Sequence, residues 1–252
     1  MLHWNSYGSA TDRPPLLIAH GLFGSARNWN VIATRLSDTR QVVAVDMRNH
    51  GESFWSDDHS YEALAGDLAE VIGEIGGPAD VLGHSMGGKA AMMLALTAPD
   101  TVRKLIVADI APVTYGHSQM QYIEAMQAVD LSKATRRSDV REQLADLGVE
   151  PALQSFFTQS LDLGGKGWQM NLDALAAGMG PVVGFPEVEA AWDGPALFLS
   201  GALSDYVRPE HRPVIKRLFP NARFAKIPGT QHWLHAEKPR DFEAAVRVFL
   251  DS

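Results

Sequence analysis

The 252-residue sequence contains no cysteine. Disulfides, thiolate metal sites and a cysteine nucleophile are excluded, and the composition fits a reducing compartment. Nowhere do about 18 apolar residues run together, so no membrane-spanning helix is expected. The opening residues, Met1-Leu2-His3-Trp4-Asn5, lack the basic and apolar regions of a secretory signal, and the expected location is cytoplasmic. Positive charge is scarce as well. With 22 Lys and Arg against 30 Asp and Glu, the net charge of −8 leaves no sizeable basic patch, which argues against nucleic acid as a partner. No internal repeat or low-complexity tract interrupts the chain. What is present, 46% hydrophobic and 21% charged residues, suits a globular protein with a sizeable buried core.

Short apolar runs alternate with helical segments. Leu16–Ala19 reads as a strand buried on both faces and Val42–Val45 as the next buried strand; Asp80–Leu82, Leu105–Ala108, Pro195–Gly201 and Arg223–Ile227 read as further strands. Leu2–Tyr7 is a candidate first strand. Helices are expected at Ala26–Leu36, Tyr61–Ile75, Ala90–Thr97, Pro209–Leu218 and Arg240–Leu250. In Tyr61–Ile75 the acids Glu62, Asp67, Glu70 and Glu74 are placed outward. This alternation predicts an α/β protein with a mostly parallel sheet flanked by helices. Between Val113 and about Ala190 the strand signal vanishes, and helices are expected at Ser118–Val129, Ser138–Leu147, Pro151–Phe157 and Leu172–Ala177. The division is therefore a sheet core of residues 1–112 and 191–252, with a helical insert at 113–190 that serves as a lid over the strands' carboxyl ends.

The chemistry centres on Gly83-His84-Ser85-Met86-Gly87, a G-x-S-x-G between a strand and a helix. A serine on so sharp a turn is held in strained geometry with its hydroxyl clear of the sheet, next to the positive end of a helix. The same residues also fit a phosphate-binding G-x-x-x-x-G-K through Gly83–Lys89. That loop needs Ser or Thr after the lysine to hold magnesium, and Ala90 stands there instead. A nucleotide-binding enzyme is the lesser alternative.

A serine nucleophile needs a base, and a base of this kind is oriented by a carboxylate. Among nine histidines, His232 lies in a glycine-containing loop after the last strand, free to reach back over the sheet. His235 reads as structural, His20 and His84 as loop-shaping, and His50 as a loop hydrogen-bonder or substrate contact. Asp46 and Arg48 read as a structural pair holding their loop.

His20-Gly21-Leu22-Phe23-Gly24, Asp46-x-Arg48-Asn49-His50-Gly51, Gly83–Lys89, Asp109-Ile110-Ala111-Pro112 and Gly229-x-x-His232-Trp233-x-His235 together resemble the α/β-hydrolase superfamily. Within it they are similar to the small esterases of the YbfF type and the abhydrolase-domain proteins. The resemblance implies the α/β-hydrolase fold and a serine carboxylesterase with Ser85 as nucleophile and His232 as base. The oxyanion hole would be the backbone N–H of Met86 and that of Leu22 or Phe23. For the acid, most of the superfamily uses a position after the strand Leu197–Ser200, which here is Ser204, with Asp205 one place late. The resembling subgroup takes it from Asp-Ile-Ala-Pro, so Asp109 is preferred and Asp205 is the alternative. The implied substrate is a small to medium acyl ester, or an acyl-CoA thioester handled by the same residues, with no metal or organic cofactor. Lys133, Arg136, Arg137 and Arg141 are the candidates for meeting CoA phosphates.

Overall fold

The computed structural model describes all 252 residues. The elements of the first half are β1 (Trp4–Tyr7), β2 (Leu16–Ala19), α1 (Asn30–Leu36), β3 (Val42–Val45), α2 (Tyr61–Glu74), β4 (Ala79–His84), α3 (Met86–Thr97) and β5 (Val102–Ala108). Then come α4 (Met120–Ala128), α5 (Arg137–Asp146), α6 (Pro151–Phe157), β6 (Leu161–Asp162), β7 (Gly167–Trp168), α7 (Leu172–Ala177) and α8 (Met179–Val183). The chain closes with β8 (Ala196–Gly201), α9 (Arg212–Leu218), β9 (Ala222–Ile227), α10 (Leu234–Glu237) and α11 (Pro239–Leu250).

Seven strands form one sheet in the order β1-β3-β2-β4-β5-β8-β9, with only β1 antiparallel to its neighbour. The inner strands β2, β3, β4 and β8 are buried along their whole length because both sheet faces are covered, whereas the edge strands β1 and β9 keep polar, partly exposed residues. Leu17, Ala19, Val43, Val45, Val81 and Val107 point into the core shared with α2 and α3. Their neighbours Leu16, Ile18, Val42, Ala44, Leu82 and Ile106 point the other way, onto α1 and α11. In α11 the buried Phe242, Val246, Phe249 and Leu250 recur at helical spacing and form its inner stripe.

Residues 113–190 connect β5 to β8 and build a third apolar cluster of their own, joined by Phe23 from the loop after β2. Where helices alone are expected, a two-residue antiparallel hairpin, β6–β7, turns the chain between α6 and α7. Strands this short carry no periodicity to read. The hairpin leads into the backbone bonds that tie the insert to the loop after β3: Gly51 N–H donates to Gln169 C=O (2.8 Å) and Asn171 N–H to Asn49 C=O (3.0 Å).

Two expectations about that loop need correction. Asp67 is not outward but buried, because Arg48 grips it with Nε–Oδ2 at 2.6 Å and Nη2–Oδ1 at 2.8 Å. Asp46 and Arg48 are likewise not partners of one another. The Asp46 carboxylate accepts from the backbone N–H of Ala26 (2.7 Å) and Glu52 (3.0 Å), locking the β2 and β3 loops together. Gly51, at φ 58°, lies against that carboxylate, where a Cβ would collide with it.

Candidate active site

The carboxyl ends of β2, β4, β5 and β8 meet under the insert, around a cavity of about 550 Å³ lined by Ser85, His232, Leu22, Met86, Tyr115 and Trp233 among others. Ser85 occupies the turn between β4 and α3 with φ 53° and ψ −121°, a region costly for any residue with a Cβ. The surroundings hold it there. Its N–H donates to Ala108 C=O at 3.1 Å, and its C=O accepts from Lys89 N–H at 3.0 Å. A Cβ on Gly83 would strike the Gly87 carbonyl, and one on Gly87 would strike those of Ala19 and His20. The glycines of the motif are where backbone passes backbone.

His232 follows β9 and carries Nδ1 2.8 Å from Asp109 Oδ2. Its ring stacks on Tyr206 with centroids 4.0 Å apart and planes 21° from parallel. His84 Nε2–H donates to the His232 carbonyl at 2.9 Å, fixing the backbone beneath the ring. Asp109 sits at the end of β5 with φ 51° and is wholly buried. Its Oδ1 accepts from Gly201 N–H (3.0 Å), and its Oδ2 accepts from the Ser204 hydroxyl (2.5 Å) as well as from His232. In each of these bonds the buried carboxylate is the acceptor. Asp205 lies elsewhere. Its side chain is 88% exposed, its carboxylate is 4.0 Å from Arg208, and it makes no contact with His232. Ser204, in the place where most of the superfamily carries the acid, is instead a donor to Asp109.

Met86 begins α3, so its N–H has no partner within the helix. The Leu22 N–H also has no protein acceptor, whereas Phe23, at φ 65°, donates its N–H to His50 Nε2 at 3.2 Å. His50 in turn donates Nδ1–H to Arg48 C=O at 3.0 Å. His20 is used in the same way: Nε2 accepts from Met47 N–H (3.0 Å) and Nδ1–H donates to Gly21 C=O (2.7 Å). Burial holds both rings neutral, with pKa values lowered to about 4 for His20 and about 3 for His50. Nothing in the local sequence announces the bond from His50 to Phe23, because the partners are 27 positions apart.

His235 is also buried, stacked on Trp29 at 4.3 Å and 11°, and burial lowers its pKa to about 3. Lys89 turns inward rather than toward a phosphate: its Nζ donates to Val113 and Val183 C=O, each at 3.0 Å. The basic cluster lies away from the cavity. Lys133 pairs with Asp130, Arg136 with Asp139, and Arg137 donates to Thr158 and Leu161 carbonyls; none of these or Arg141 lines the cavity.

Comparison with known proteins agrees with this architecture. Residues 16–245 match the alpha/beta hydrolase family. The chain belongs to the α/β-hydrolase family. This α/β-hydrolase is 40% identical to the mouse (Mus musculus) sn-1-specific diacylglycerol lipase ABHD11, over 99% of its own length and 85% of that protein. It is 37% identical to the esterase YbfF of Escherichia coli, covering 95% and 94% of the two chains. A solved marine microorganism esterase superposes with a TM-score of 0.93 at 38% identity over 98% of each chain. With these relatives the α/β-hydrolase is an enzyme of the hydrolase class. No helix in it is long and apolar enough to cross a membrane.

Proposed function

We propose that the protein is a serine carboxylic-ester hydrolase working through an acyl-enzyme on Ser85. The observation that carries this reading is the imidazole of His232, bonded through Nδ1 to the buried Asp109 carboxylate, in the same cavity as the elbow serine. With Nδ1–H committed to Asp109, the lone pair of the neutral ring lies on Nε2, the atom that takes a proton from serine.

Ser85 Oγ attacks the acyl carbonyl as its proton passes to His232 Nε2. The tetrahedral oxyanion is held by the N–H groups of Met86 and Leu22, each donor worth about 3–4 kcal/mol in such sites. Leu22 is preferred to Phe23 because the Phe23 N–H is already given to His50. His232 then protonates the departing alcohol, and water attacks the acyl-enzyme by the same proton route. Asp109, not Asp205, keeps the ring in its tautomer and stabilises the imidazolium. No cofactor enters these steps. Residues 113–190 act as the lid, and their apolar side chains receive a small to medium acyl group. An acyl-CoA thioester would use the same residues, but none of Lys133, Arg136, Arg137 and Arg141, the basic side chains suited to its phosphates, lines the cavity, so an oxygen ester is the substrate put forward. That choice accords with relatives bearing the names lipase and esterase.

Treatment with a fluorophosphonate tests the reading. One equivalent is expected to attach to Ser85, located by peptide mass. An unlabelled protein, or a label on another residue, would contradict it.

A further inference from the structure

Lys89 lies one turn into the elbow helix and is among the largest wholly buried side chains in the protein, yet the proposed reaction gives it no task. No carboxylate pairs with it. Its ammonium is surrounded by backbone carbonyls drawn from two places: Val113 (3.0 Å), just after β5, and Val182 (3.4 Å), Val183 (3.0 Å) and Gly184, at the end of α8. These are the two ends of the segment that covers the cavity. The ring of Tyr115 lies 4.9 Å from Nζ and that of Tyr61 5.8 Å, so aromatic faces supply the remaining shell. Tyr115 N–H also donates to Val183 C=O (3.0 Å), and the Tyr61 hydroxyl to Val182 C=O (2.8 Å), closing a compact knot.

Several physical points give this arrangement weight. The last carbonyls of a helix lack intrahelical donors, and a cation at that end meets both their hydrogen-bonding need and the negative end of the dipole. Burying an ammonium is costly, and burial pulls the Lys89 pKa down to about 7. An apolar side chain would fill the same space without that cost, so filling space does not account for it. What an apolar side chain cannot do is hold carbonyls from both ends of the insert together. Val182, Val183 and Tyr115 also line the cavity beside Ser85.

We propose that Lys89 is a positioning residue that binds the two ends of the insert to the nucleophile helix and so sets the cavity wall that selects acyl length. The wall is fixed relative to Ser85 because the same helix carries both the clamp and the nucleophile's turn. The part concerning acyl length rests on the esterase reading; the clamp itself does not.

Amide hydrogen exchange on Lys89→Met tests the clamp without any substrate. Exchange is expected to quicken at least tenfold at 113–115 and 182–184, Tyr115 N–H above all, while the strands of the sheet keep their protection. Unchanged exchange at those two places, or a uniform rise throughout the chain, would overturn the proposal. If the Met variant does not fold, Lys89→Gln, which keeps two donors but no charge, is measured in its place and read by the same two criteria. On p-nitrophenyl esters, KM for octanoate is expected to rise at least fivefold more than KM for acetate, with kcat affected less than KM. Equal effects on both esters would overturn the specificity role. Hydrolysis absent from the wild-type protein would defeat the esterase reading instead, leaving the exchange experiment to decide on the clamp.

Discussion

Mild acid should unfold this protein more steeply than its surface charge implies, because five histidines are buried as neutral rings. Burial lowers the pKa to about 4 for His20 and about 3 for His50, His59 and His235, and well below the ordinary value for His84. In the unfolded chain each returns to about 6.5. The folded pKa is depressed, so the unfolded state binds more protons between pH 6.5 and 4, and stability falls as pH drops through that range. At pH 5.5 each ring favours unfolding by about 1.4 kcal/mol relative to pH 7.5, whatever its exact folded pKa, since all remain neutral in the native state. Five such rings amount to about 7 kcal/mol, set against total stabilities of about 5–15 kcal/mol for globular proteins. The melting temperature should therefore fall by about 14–28 °C between pH 7.5 and 5.5 at constant ionic strength. His235→Phe, which preserves stacking on Trp29 and removes a ring nitrogen that has no hydrogen-bond partner, should lessen that fall by roughly one proton's worth. A melting temperature that is level to within about 2 °C across this range would refute the assignment of these rings as buried and neutral.

Two further predictions concern the site. Asp109→Asn should lower kcat by about 10³–10⁴-fold while leaving the protein folded, and Asp205→Asn should alter it by less than about twofold. Steady-state kinetics on one p-nitrophenyl ester decides, and a reversed order would move the acid to Asp205. Gly87→Ala forces a Cβ onto the Ala19 and His20 carbonyls. Thermal unfolding should register a loss of at least about 1–3 kcal/mol, with activity falling as α3 shifts.

The middle of the sheet was legible because its strands are covered on both faces, which turns β2 and β3 into short unbroken apolar runs, Leu16–Ala19 and Val42–Val45. The serine turn was equally plain, since close backbone crossings at Gly83 and Gly87 admit only glycine. What depended on distant partners was not legible. Asp67 looks like a solvent-facing acid until Arg48, 19 positions earlier, turns it inward. Asp109 and Asp205 both lie in loops after strands, and only the fold reveals which carboxylate meets His232, 123 positions away from Asp109. In the sequence Lys89 is notable only for the lesser, phosphate-loop alternative, whereas in the fold its ammonium faces the insert's own carbonyls. The β6–β7 hairpin is two residues per strand, too short to leave a pattern.

The central claim is acyl transfer through Ser85, and its most direct test is kcat/KM on p-nitrophenyl esters from acetate to palmitate, for the wild-type protein and Ser85→Ala. The account predicts hydrolysis by the wild-type protein, greatest for short to medium acyl chains, and a loss of about 10³-fold or more in the variant. Equal rates for the two proteins at every chain length would contradict it.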